Sequence, residues 1–119
     1  MDLETVLINL LTNSYDTLLH SAQDRAVRIS LGSVQRSGKP GYALTVSDSG
    51  HGVAPILRNK IWLPLFTTKK DTRGFAIGTG LGLYVVDMIM KDLKGFREVD
   101  SDPLLGGARF TLWFPKEKE

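Results

Sequence analysis

Two asparagines one helical turn apart, an aspartate heading a glycine pair and a run of alternating glycines are the residues here whose types and spacing could do chemistry. The run is Gly78-Thr79-Gly80-Leu81-Gly82-Leu83, and glycine at alternate positions lets backbone lie against a ligand with no Cβ in the way. Leu83, Val86, Met90 and Leu93 follow at helical spacing, so the loop is expected to open a helix whose first turn has unpaired N–H groups. That is an anion site, suited to phosphate. In Asp48-Ser49-Gly50-His51-Gly52, an ionised carboxylate accepts hydrogen bonds only, which fits an amino group such as that of adenine. Gly50 and Gly52 would admit a flat ring; an Asp-Gly turn closing a strand would have the same sequence. His51 sits exposed in that turn on this reading and has no chemical role. Asn9 and Asn13 fall on one helical face, with Asp16 three residues on, although asparagine is a poor helix former. Asn13 could offer a carbonyl oxygen to a hard cation such as Mg²⁺; both also fit polar positions beside a core. The segment Thr67-Thr68-Lys69-Lys70-Asp71-Thr72-Arg73-Gly74 reads either as a basic lid over a phosphate or as a solvated loop.

Positioning these groups requires two helices and a sheet. Residues from Leu3 to about Leu19 place Leu7, Leu10, Leu11, Tyr15 and Leu18 on one stripe, with Asp2 as N-cap. Ala26 to Leu31 alternates as a half-buried strand does, Ser37 to Gly41 is a turn, and Tyr42 to Ser47 is the second arm of a hairpin. Pro55 starts a short helix through Ile61, and Pro64 prevents its continuation. The helix after the glycine run ends at Gly95 as its C′ residue. Phe96 to Val99 and Ala108 to Phe114 are two further strands, joined by the turn-rich Ser101 to Gly107.

At 119 residues the chain is expected to form one domain. A hydrophobic content of 42% with 24% charged residues is that of a globular protein and not of a disordered chain. The absence of cysteine removes disulfides and thiolate chemistry, and two histidines are too few for a zinc site. A net charge of +2, with dispersed Lys and Arg, gives no footprint for nucleic acid. No apolar run reaches bilayer length and no signal-peptide pattern opens the chain, so a cytoplasmic location is expected.

Taken in order, these segments resemble the motifs of the GHKL superfamily, most closely those of the catalytic ATP-binding domain of sensor histidine kinases. Leu7-Ile8-Asn9-Leu10-Leu11-Thr12-Asn13-Ser14 is similar to the N box and Asp48-Ser49-Gly50-His51-Gly52 to the first glycine box. Pro64-Leu65-Phe66-Thr67-Thr68-Lys69 is similar to the F box, Gly78 to Leu83 to the second glycine box, and Gly106-Gly107-Ala108-Arg109-Phe110-Thr111 to the closing strand. The resemblance covers nearly the whole chain. It implies the Bergerat fold, an α/β two-layer sandwich with helices on one face of a mixed, mostly antiparallel sheet. It further implies ATP and Mg²⁺ as cofactors, with Asn9 and Asn13 as the catalytic pair and Asn13 at the metal. Asp48 would then accept the adenine amino group, and Gly50 and Gly52 would line the base. Gly78, Thr79, Gly80, Leu81 and Gly82 would face the phosphates, with Thr67, Lys69, Lys70 and Thr111 completing the set.

Two departures bear on mechanism. Hydrolysing branches of the superfamily place a water-activating glutamate one turn before the metal-binding asparagine, and here that place holds Asn9, whose amide takes no proton. This favours a kinase over a hydrolase. Kinases of this kind also carry a phosphoacceptor histidine on a helical hairpin ahead of the N box, whereas this sequence opens at the N box and neither His20 nor His51 stands there. The expected partners are therefore such a hairpin, in a longer kinase or in trans, and a downstream response regulator, with the isolated domain monomeric and either cytoplasmic by itself or the cytoplasmic part of a membrane-anchored sensor. A nucleotide-gated regulatory module and an anti-sigma-type serine kinase are the alternatives.

Overall fold

The computed structural model describes residues 2–19, 21, 24–66 and 81–116. Helix α1 (Asp2–Leu19) is followed by β1 (Val27–Ser33) and β2 (Gly41–Asp48), a short 3₁₀ turn (Pro55–Leu57), α2 (Gly82–Asp92), β3 (Phe96–Ser101) and β4 (Ala108–Pro115). The strands form one sheet in the order β1-β2-β4-β3, and every pairing among the described strands is antiparallel. The helices pack on each other and on one face of that sheet, α1 over β2 and α2 over β3. The two-layer arrangement agrees with the Bergerat fold.

Each layer follows from periodicity. Val6, Leu10, Ser14 and Leu18, four residues apart, are the buried line of α1, and Val86 and Met90 that of α2. They close on the alternating residues Leu44 and Val46 of β2, Ala108, Phe110 and Leu112 of β4, and Val99 of β3. Trp62 completes the core, edge-on to Phe110 with ring centroids 5.9 Å apart.

Five local expectations are corrected. Asp2 lies within α1 and not at its cap. Tyr15 is 63% exposed and Ser14 takes the buried place in its stead, because the facing surface is the Asp48 carboxylate and a small hydroxyl fits there. Strand β1 is exposed along its whole length, since the helices lie over β2 and β3; Val27, Ile29 and Leu31 share a face with the core but no described element covers them. The Pro55 helix is a single 3₁₀ turn followed by further turns through Leu65, which itself has φ +66°. At the end of α2 the left-handed C′ residue is Lys94, φ +58°, and Gly95 follows it, donating to Met90 O at 2.8 Å while Lys94 N donates to Lys91 O at 3.0 Å. This is a Schellman closure. Gly95 is needed for space: a Cβ there would strike Trp113 O and Met90 Cε.

Ion pairs fasten the margins of the sheet. Asp87 on α2 accepts from Arg97 Nε at 2.9 Å and pairs with Lys91 Nζ at 3.0 Å, and the Arg97 guanidinium lies 4.6 Å from the Trp62 ring centre. Burial pulls the Asp87 pKa up, but the bonds from Lys91 and Arg97 outweigh it and hold it below the usual carboxylate value. Asp100 is lowered by its bond to Arg109, and Asp102 is held at about 2, chiefly by the Leu105 amide. A carboxyl with a depressed folded-state pKa adds stability above its unfolded value near 3.8, and that stability is lost as pH falls through the folded value. The melting temperature is therefore expected to hold down to about pH 5 and to fall steeply between about pH 4 and pH 2. A flat profile down to pH 2.5 in thermal scans would show that these carboxylates are not linked to folding.

Candidate active site

The site is built from one face of α1, the end of β2, the start of β4 and the first turn of α2. Asp48, the last residue of β2, is 1% exposed. Its Oδ1 accepts from Gly50 N at 2.9 Å and from Ala108 N at 3.3 Å, while its Oδ2 faces Ser14 Oγ across 3.4 Å. No cationic side chain among the described residues pairs with it. A buried carboxylate with one oxygen fully engaged and the other only weakly engaged is a waiting acceptor. Gly107 N donates to Asp48 O at 3.1 Å, and a Cβ on Gly107 would strike that carbonyl, the carboxylate and Gly50 N. Gly52 turns the chain at φ +75°.

Along α1, Asn9, Asn13 and Thr17 succeed one another at four-residue spacing. Thr17 marks one end, since a Cβ on Gly50 would come within 2.5 Å of its Cγ2. Asn9 marks the other, its Oδ1 3.0 Å from where a Gly82 Cβ would stand. Eight residues of helix separate the ends, about 12 Å of rise. That span suits a ligand with a flat amino-bearing ring at Asp48 and an anionic tail at α2. The N-terminus of α2 supports the second half: no acidic residue stands in its first turn. Asn13 lies between the ends, half-buried, with no hydrogen bond to its side-chain amide among the described residues, and its main-chain O accepts from Thr17 Oγ1 at 3.0 Å. Asn9 donates to Thr5 O at 2.9 Å.

Of the residues expected at the site, the structure places Asn9, Asn13, Asp48, Gly50, Gly52, Leu81 and Gly82 on α1, at the end of β2 and at the start of α2, with Gly50 against Thr17 and Gly82 against Asn9. Thr111 is not brought there. Ala108, Phe110 and Leu112 of β4 point to the helices, so Thr111, between them, faces the opposite side of the sheet beside Thr45 and Glu98. Thr67, Lys69, Lys70, Gly78, Thr79 and Gly80, with the rest of the basic segment from Thr67 to Gly74, lie outside the described residues. Ser14, Thr17, Gly107 and Ala108 join the site unanticipated. For Thr17 the four-residue spacing from Asn9 and Asn13 was a legible signal, and for Gly107 the glycine pair ahead of a strand.

The family model described as histidine kinase-, DNA gyrase B-, and HSP90-like ATPase matches residues 1–118. The chain belongs to that family. Its relatives include the sensor histidine kinase ZraS of Salmonella typhimurium, 41% identical over 92% of this chain and 22% of the relative. They also include the sensor histidine kinase CpxA of Escherichia coli, 31% identical over 89% of this chain and 24% of the relative. Among solved structures, the catalytic domain of histidine kinase ThkA aligns with a TM-score of 0.67 at 28% identity, covering 97% of this chain and 66% of that one. The mycobacterial sensor histidine kinase MprB, at 24% identity, shares the fold with a TM-score of 0.77 over 99% of this chain and 74% of that one. The chain thus spans about a quarter of the length of the curated relatives it matches. It is a catalytic, ATP-binding domain of the sensor histidine kinase kind.

Proposed function

We propose that the domain binds Mg²⁺-ATP in this cleft and presents the γ-phosphate to a histidine on a helical hairpin carried elsewhere in the full protein or by a partner, from which a response regulator draws the phosphoryl group. The observation that carries this reading is Asp48: buried, fixed by two backbone amides through one oxygen and open to a donor through the other. The side-chain amide of Asn13, without a hydrogen bond among the described residues, is a neutral oxygen donor midway along the site, which fits Mg²⁺, and the ion would supply charge neutralisation on the phosphates. The first turn of α2, which opens at Gly82 and carries no acidic residue, would offer its backbone amides to the same charge. Asn9 has no basicity to offer a water, and its amide is already engaged with Thr5, which supports transfer over hydrolysis. A kinase of this type works on the cytoplasmic side of a membrane, where ATP is; among the described residues no helix is long and apolar enough to cross one.

Incubating the chain with Mg²⁺, labelled ATP and a separately prepared acceptor hairpin tests the proposal. Label on the hairpin that is stable in alkali and lost in acid is the expected result. Acid-stable label would favour a serine kinase, and nucleotide binding without any transfer would favour a regulatory module.

A further inference from the structure

Asp102 stands at the turn between β3 and β4, away from the cleft, and its side chain is wholly shut off from solvent. Its Oδ1 accepts the amides of Leu104 at 2.9 Å and Leu105 at 2.7 Å, while its Oδ2 receives Arg28 Nη2 from β1 at 2.6 Å. Its own backbone closes the same turn: Asp102 N donates to Gly107 O and Gly106 N donates to Asp102 O, both at 2.9 Å. Leu104 is 80% exposed and a Cβ on Gly106 would meet no atom, so the shape of the turn depends on the Asp102 carboxylate.

What that turn delivers is the pair of amides that fix Asp48. Gly107 N holds the Asp48 carbonyl and Ala108 N holds its Oδ1, at a contact so close that Gly107 admits no side chain. We propose that Asp102, clamped by Arg28, is a positioning residue for base recognition: it sets the turn that aims the Asp48 carboxylate at the exocyclic amino group of the nucleotide base. The inference rests on the nucleotide reading above. It adds a route from β1, the exposed edge of the sheet, through Arg28 and Asp102 to the base.

Calorimetric titration of the whole chain with ADP and with inosine diphosphate, whose ring carries a carbonyl where adenine carries the amino group, isolates this effect. The wild-type protein should prefer ADP. Asp102→Ala should cut that preference about tenfold, the scale of one misaligned hydrogen bond to a charged group. Asp102→Asn, which keeps an acceptor for the Leu104 and Leu105 amides but not for Arg28, should lose about threefold, as should Arg28→Met. A merely structural role would weaken both nucleotides alike and leave their ratio unchanged, and that result overturns the proposal. If Asp102→Ala does not fold, the ratios of Asp102→Asn and Arg28→Met decide in the same way. A wild-type protein that binds both nucleotides equally would instead overturn the assignment of Asp48 to adenine.

Discussion

Replacing Asp48 with asparagine is expected to leave the fold standing while lowering affinity for adenine nucleotides roughly 10- to 100-fold, about 1.5–3 kcal/mol for a hydrogen bond to a charged group. The two oxygens of Asp48 do different work. Oδ1 is held by Gly50 N and Ala108 N, and the asparagine carbonyl can take its place without leaving either amide unpaired. The new NH₂ then occupies the Oδ2 position, where Ser14 Oγ can rotate from donor to acceptor. The base amino group has no such freedom, and donor would face donor. Thermal scans should show a small change and titration a large one. The same swap should favour inosine diphosphate, whose ring carbonyl accepts from the asparagine NH₂. Asp48→Ala differs in kind: it leaves the Gly50 and Ala108 amides without their acceptor and should cost stability as well, about 1–3 kcal/mol for each amide left buried and unpaired. Equal losses for both nucleotides in Asp48→Asn, or none, would make the carboxylate structural only.

That split between the two oxygens was not legible in the sequence, although Asp48 itself was. Local pattern located the helices, because apolar residues recur at helical spacing, and it located β2 and β4, because they alternate. It misplaced Tyr15 and Ser14 because hydrophobicity ranks tyrosine as the core residue, whereas the surface facing that position is a carboxylate 34 residues away. The exposure of β1 escaped for a related reason: alternation says which residues share a face but not whether a helix lies over that face. At Lys94 and Gly95 the glycine was assigned the left-handed turn. Contact with Trp113 O and Met90 Cε required glycine one residue later, so lysine took the strained φ. Thr111 was recoverable, since Phe110 and Leu112 on either side of it already point to the core. Asp102 was not, because its role lies in backbone amides and an arginine 74 positions away.

Gly107→Ala should be strongly damaging, and its neighbour shows why. Both glycines lie in the turn that Asp102 holds. A Cβ on Gly107 would strike Asp48 O, Asp48 Oδ1 and Gly50 N, and two of those three are backbone atoms that cannot swing aside. The methyl is accommodated only by lifting the turn off Asp48, which breaks the Gly107 N and Ala108 N bonds together. The expected cost is about 3 kcal/mol or more, the upper end of overpacking, which for a domain of this size is a fall in melting temperature of about 10 °C or more. Adenine-nucleotide binding should be lost even at temperatures where the variant stays folded. Gly106 has the opposite problem: φ +87° disfavours any side chain, but no atom lies within 4 Å of the added methyl. Gly106→Ala should therefore cost about 1–2 kcal/mol of backbone strain and leave the ratio of ADP to inosine diphosphate affinities unchanged. Thermal scans and titrations of the two variants side by side separate a clash at the Asp48 site from strain in its support. If Gly107→Ala kept both its melting temperature and its preference for ADP, the contact between this turn and Asp48 would not be what aims the carboxylate.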